Sequence, residues 1–211
     1  MRPIMLLNAK GGCGKTTLAT NLAAYFAGAG KQVTLADFDP QGSSMDWLAA
    51  RPADCSYIKG IAAWKNPLRL GKNTDYVIMD APARVHGRDL THIVRKVETL
   101  VLPVLPSPID MRAAAHFVEE LLRVGKVERR EVKLALVANR VRENTLIFNE
   151  LASFLAGLKI PLVATLRDTQ NYIRAAERGL GIFELPPSSV AQDLEQWTPL
   201  LKWLASRRSR P

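Results

Sequence analysis

Short apolar runs at residues 4–7, 32–36, 76–79, 99–102, 134–138 and 162–165 punctuate the chain. Each shows little polar alternation, the pattern of strands buried on both faces, as in a parallel sheet. Between them apolar residues recur at helical spacing: Leu18, Leu22 and Phe26; Val118, Leu121 and Leu122; Leu151 and Leu155; Leu194, Trp197, Leu201 and Leu204. Strand and helix thus alternate along most of the chain, which predicts an α/β fold with helices on both faces of a mostly parallel, twisted sheet. Ligands of such sheets gather at the carboxyl ends of the strands. Residues 52–73 are the least regular and predict a loop-rich insertion with one short strand around Tyr57. No internal repeat or low-complexity linker divides residues 1–211, so a single domain is expected.

Composition narrows the class. A chain of 211 residues can bury most of its apolar surface in one core. Hydrophobic residues at 47% and charged residues at 23% are ordinary for a globular chain and exclude a disordered one. Cys13 and Cys55 cannot build a disulfide framework, and no C-x-x-C pair or Cys/His cluster offers a zinc site. No apolar run approaches the roughly 20 residues that span a bilayer, and the apolar start is too short for a signal peptide, so the expected location is cytoplasmic. The net charge of +9 is uneven: residues 1–120 carry 14 basic and 11 acidic side chains, residues 121–211 carry 15 and 9. The C-terminal part is where a polyanion would dock.

The densest chemistry follows the first strand, at Ala9-Lys10-Gly11-Gly12-Cys13-Gly14-Lys15-Thr16-Thr17, which runs directly into a helix. Strand, glycine-rich turn and helix make a phosphate-binding loop. Glycines let the backbone turn N–H groups inward around phosphates, and the helix N-terminus adds its positive dipole end. Lys15 would reach the β and γ phosphates of ATP and the Thr16 hydroxyl would bind Mg²⁺. Cys13 fills a variable position and reads as a packing residue, although a thiol near a helix N-terminus can also be reactive. Lys-Gly-Gly-x-Gly-Lys-Thr-Thr resembles the deviant Walker A motif of the ParA/MinD superfamily. The resemblance implies a P-loop NTPase fold and a second functional lysine, Lys10, reaching the phosphates bound by the partner subunit of an ATP-dependent homodimer.

Two acidic motifs end the next core strands. Asp37-Phe38-Asp39-Pro40-Gln41 is similar to the D-x-D-P-Q segment of ParA proteins: Asp39 is placed to orient or deprotonate the attacking water, and Asp37 to support the site through the magnesium shell or loop hydrogen bonds. An Asp-Pro turn capping a helix would explain Asp39 and Pro40 alone. Asp80-Ala81-Pro82-Ala83 has the Walker B arrangement, with Asp80 holding a magnesium water, and resembles the family's D-x-P-P switch with Ala83 replacing a proline. Pro106-Ser107-Pro108-Ile109-Asp110 is similar to a segment of the short ParA-like proteins that lies near their dimer interface. With the loop at residue 10, an upstream helix-turn-helix domain is not expected.

The C-terminal half is read mainly through this resemblance. The resemblance places Asn139, and Pro186 or its neighbour Pro187, where the family contacts adenine, although an Asn at a strand end also forms turns. Arg167, Arg174 and Arg178, extended by Lys202 and Arg207, and further by Arg140, Arg142, Arg208 and Arg210, are candidates for non-specific DNA binding, which would make the protein nucleoid-associated. An ordinary solvated basic face is the alternative. Trp197, Leu200, Leu201, Trp203 and Leu204 before Arg207 could form a MinD-like amphipathic membrane helix; core packing on the sheet is the preferred reading, leaving the membrane outside the expected partners. The resemblance implies a weak ATPase that positions a plasmid, carboxysome or chemoreceptor cluster with a small ParB-like or equivalent partner that stimulates hydrolysis.

Overall fold

A computed structural model describes residues 1–142 and 145–211. Its strands are β1 (Arg2–Leu6), β2 (Val33–Asp37), β3 (Lys59–Ala62), β4 (Tyr76–Asp80), β5 (Thr99–Val104), β6 (Lys133–Val141) and β7 (Leu162–Arg167). They form one parallel sheet in the order β3-β2-β4-β1-β5-β6-β7. The helices are α1 (Lys15–Gly28), α2 (Ser43–Ala49), α3 (Gly87–Val94), α4 (Pro108–Leu122), α5 (Gly125–Glu128), α6 (Leu146–Gly157), α7 (Asn171–Glu177) and α8 (Pro187–Ala205), with 3-10 turns at Ile182–Glu184 and Arg207–Ser209.

The continuous apolar runs have their expected cause. Successive strand residues enter opposite layers: Ile4 and Leu6 pack with α1 and α8, while Met5 and Leu7 pack with α3 and α4. Ile78 and Val101 likewise join the first layer, and Val77, Met79, Leu100 and Leu102 the second. Because both faces are covered, the period-two alternation of side chains carries no polar phase.

All six predicted strands are present, each displaced or lengthened by a few residues. The short strand expected around Tyr57 starts two residues later, at Lys59, and Tyr57 itself is 79% exposed. Packing fixes that register. Gly60 lies so close to α2 that an added Cβ would stand 2.5 Å from Leu48 Cδ2, while Ile58 and Ile61 are buried.

The C-terminal helix belongs to the core. Val190, Trp197, Leu200 and Leu204 are buried, a stripe partly offset from the predicted one, with Leu194 and Leu201 only half-buried beside it. Trp197 Nε1 donates to Tyr172 Oη at 2.9 Å. Beyond the helix the chain is fastened under the sheet: buried Arg2 donates to the Leu204 carbonyl and to Ser209 Oγ (2.8 Å), and Thr99 Oγ1 donates to the Ser209 carbonyl (2.7 Å). Arg2 and Thr99 begin β1 and β5, so the tail closes the end of the sheet opposite the phosphate loop. Among the described residues, no helix is long and apolar enough to cross a membrane.

Candidate nucleotide site

The loop between β1 and α1 is held from several sides. Asn8, buried two residues past β1, donates through Nδ2 to the Pro103 carbonyl (2.7 Å) and accepts the Lys10 N–H through Oδ1 (3.1 Å), so it ties the loop's entry to β5. Asn139 Nδ2 donates to the Cys13 carbonyl at 2.8 Å from beneath. A β-bulge between Ala138 and Val141, with Arg140 at φ 53°, marks the irregular stretch of β6 that carries Asn139. Gly14 has φ +96°, and a Cβ there would lie 2.2 Å from Asn139 Nδ2, so both conformation and space demand glycine. Cys13 is buried, its Sγ 3.3 Å from the Lys10 carbonyl, and burial pushes its thiol pKa up. That is the behaviour of a packing residue rather than a reactive thiol.

A cavity of about 790 Å³ opens over the loop. Gly11, Gly12, Gly14, Lys15, Thr16 and Thr17 form one side, Asp39 to Gln41 and Ser43 a second, and Ala81 to Arg84 a third. The predicted phosphate, water-activating and switch residues therefore meet in one place. Lys15 Nζ donates to the Lys10 carbonyl at 2.9 Å, arched over the loop it belongs to. Lys10 itself turns outward, its Nζ 3.4 Å from Asp110 Oδ1.

Strand register explains the acidic floor. β2 and β4 pair so that Asp37 stands beside Asp80. Both Asp37 oxygens accept backbone N–H groups, Oδ1 from Asp39 (2.9 Å) and Oδ2 from Ser44 (3.0 Å), so its observed role is to shape the Asp39 loop and the start of α2. Of the two supporting roles expected of Asp37, loop hydrogen bonding is the one the geometry displays. Asp80 Oδ2 accepts the Ser44 hydroxyl at 2.6 Å, whereas its buried Oδ1 has no hydrogen-bond partner. Burial pushes the Asp80 carboxyl up to about 6, with neighbouring Asp37 adding to the rise and the Ser44 and Thr16 hydroxyls and Lys15 opposing it. An unpartnered buried carboxylate oxygen beside the Thr16 hydroxyl fits the needs of a hard divalent cation completed by phosphate and water oxygens. Among the described residues no group of three or more His, Cys, Asp or Glu forms a metal cage.

Residues 4–182 match the CobQ/CobB/MinD/ParA nucleotide binding domain. The chain belongs to that family. The resemblance to the ParA/MinD superfamily carried by the loop is thereby borne out. This CobQ/CobB/MinD/ParA chain is 29% identical over 202 residues to the maintenance of carboxysome distribution protein A (McdA) of Halothiobacillus neapolitanus, spanning 92% of the chain and 93% of that protein. A Gloeobacter kilaueensis protein of the same name is 38% identical over 115 residues, 52% of either length. In fold the chain is similar to apo McdA of Cyanothece (TM-score 0.73, 15% identity, 95% of this chain and 99% of that one). It is also similar to a Borrelia burgdorferi plasmid partition protein bound to AMPPNP (TM-score 0.74, 16% identity, 95% and 98%).

The remaining predicted residues of this family member are less concentrated. Asn139 supports the loop as described, and Pro186 is the exposed N-cap of α8, outside the residues lining the cavity. The basic residues do not make one patch. Arg167, the last residue of β7, pairs with fully buried Asp193 (Nε to Oδ1 2.5 Å), which anchors it to α8. Arg140 and Arg142 both pair with Asp168. Arg174 and Arg178 are exposed on and just after α7, which leaves the strand-end side; Lys202 and Arg207 are exposed near the C-terminal end of α8. Nineteen residues of α8, about 28 Å of helix, run down to this second group. Asn8 and Ser44 shape the site, and Asp110 engages Lys10 outside the cavity lining, without having been singled out as site residues, because their partners lie 36 to 100 positions away or on the backbone.

Proposed function

We propose that this chain is a ParA-type positioning ATPase. It closes a homodimer around ATP, binds DNA without regard to sequence while dimeric, and distributes a cargo, a carboxysome or a plasmid, through a partner protein that stimulates hydrolysis. The observation that carries the reading is the convergence of Lys15, Thr16 and Asp39 on one cavity at the strand ends. It occurs in a chain that matches an McdA over nearly the full length of both. That match favours the carboxysome as cargo.

Each residue has a chemical task in this scheme. Backbone N–H groups of residues 11–15 cradle the phosphates, and Lys15 exchanges the Lys10 carbonyl for phosphate oxygens. Mg²⁺, when bound, supplies charge neutralisation at the phosphates; Thr16 and the unpartnered Oδ1 of Asp80 would hold it, directly or through water. Asp39, on the cavity wall opposite the loop, orients the attacking water. The wall at Ala81 to Arg84 reads the terminal phosphate, and its Arg84 N–H donates to the Ala9 carbonyl at 2.8 Å, linking it to the loop. Positioning alone gives slow turnover, so a partner has room to accelerate it. A membrane-anchored mode requires a free apolar helix face; no residue of α8 is among the large exposed apolar side chains of the described residues, and the tail beyond it is held by Arg2.

The test is ATP-dependent retention on DNA of arbitrary sequence, measured with hydrolysis. Wild type should bind with ATP and release with ADP, Lys15→Ala and Lys10→Ala should not bind, and Asp39→Ala should bind and stay. Retention of Lys15→Ala equal to wild type would overturn the reading.

A further inference from the structure

Lys10 is the residue on which the proposed dimer turns, and in the single chain its ammonium is already engaged. Its Nζ stands 3.4 Å from Asp110 Oδ1, with the Lys10 side chain 38% exposed and that of Asp110 13%. Oδ1 of Asp110 is buried and accepts no hydrogen bond, which leaves the Lys10 charge as its compensation. Asp110 lies in the first turn of α4, where its own N–H is capped by Ser107 Oγ (3.4 Å). It faces the phosphate loop closely enough that its charge adds to the upward push on the Cys13 thiol.

The Lys10 backbone is fixed at both ends. Its N–H is held by Asn8 Oδ1 at 3.1 Å, and its carbonyl accepts Lys15 Nζ at 2.9 Å. With the backbone held on both sides, a Lys10 released from Asp110 would move through its side chain alone. Next to the pair, Ile109 presents a 61% exposed apolar side chain.

We propose that Asp110 holds Lys10 in reserve. The pair must open before Lys10 can reach the nucleotide of a second copy of this chain, and opening strands the buried Oδ1 of Asp110. Asp110 thereby sets the ATP concentration at which the dimer closes, and keeps the chain monomeric when ATP is scarce. The inference rests on the dimer reading above and deepens it with a threshold.

Asp110→Asn keeps the side-chain shape and the backbone N–H used by Ser107. Titrating ATP against dimer mass by light scattering, this variant should dimerise at about five- to tenfold less ATP than wild type, the low end of such couplings. Its affinity for ADP, which reports the single-chain site, should be unchanged. Asp110→Ser should show the same shift, which guards against a fault peculiar to the amide. Lys10→Ala/Asp110→Asn should stay monomeric, since the effect runs through Lys10; a dimer there would show Asp110 repelling phosphate directly and overturn the proposal. A wild-type dimer whose ATP midpoint is untouched by Asp110→Asn would overturn the reserve contact alone. No ATP-dependent dimer in wild type would overturn the dimer reading and this inference together.

Discussion

Asn139 reaches the phosphate loop from 126 residues away in the chain, and the loop's shape depends on it. Asn139→Ala removes the donor to the Cys13 carbonyl and opens space beneath Gly14; nucleotide affinity should fall about tenfold, as expected for loss of one buried hydrogen bond of 1–2 kcal/mol, measured by calorimetry with ADP. Gly14→Ala meets both a φ of +96° and a 2.2 Å contact, so binding should vanish outright. Asp80 gives a pH signature in protein free of nucleotide and metal. Its folded pKa, about 6, lies above the ordinary carboxylate value, so the stability tied to its proton is full below about pH 4 and is lost as pH rises through 6. Asp80→Asn should abolish this component and raise the melting temperature at pH 7; an unchanged slope between pH 4 and 7 in denaturant titrations would contradict it. Lys15, Thr16 and Asp39 were legible in the sequence because the motif is local. Asn8, Ser44 and the Lys10–Asp110 pair were not, because their roles are contacts between distant segments that only strand order creates.

The elements divide in the same way. The six predicted strands could be read because burial on both faces makes each a continuous apolar run, and α1 and α6 because their apolar residues recur at helical spacing. α2 and α3 escaped notice: α2 buries only Ser44 and Trp47, and α3 only Leu90, Ile93 and Val94. Too few apolar positions mark their period. For α8 the sequence left two uses open, core or membrane, and the decisive contacts again lie far away, at Arg2 and Thr99. Arg2→Met would remove the guanidinium's bonds to the Leu204 and Ser209 carbonyls and to Ser209 Oγ, leaving each carbonyl its hydroxyl donor alone, and should cost about 1–3 kcal/mol in urea unfolding. Trp197→Ala, in a fully buried site, should cost about 3–5 kcal/mol. If Trp197→Ala left stability untouched and instead released the protein from lipid vesicles, α8 would be a membrane element and not a core one.

At the scale of the molecule, the charge of +9 is distributed over tasks rather than gathered in one surface. Lys10 and Lys15 serve the phosphate loop, Arg2 closes the base of the sheet, and Arg167 compensates buried Asp193. Of the five residues first predicted to bind DNA, that leaves Arg174 and Arg178 exposed near one end and Lys202 and Arg207 exposed near the other. Arg174→Ala/Arg178→Ala should weaken DNA retention evenly across sequences and lower its salt dependence by about two phosphate contacts, read from binding at several salt concentrations. The central claim, however, is the ATP-closed dimer held by Lys10. Sedimentation velocity of Asp39→Ala with ATP and Mg²⁺, beside Lys10→Ala/Asp39→Ala, tests it most directly, because blocked hydrolysis lets a closed state accumulate. The account predicts a dimer for the first and a monomer for the second. A dimer in both, or in neither, would contradict it.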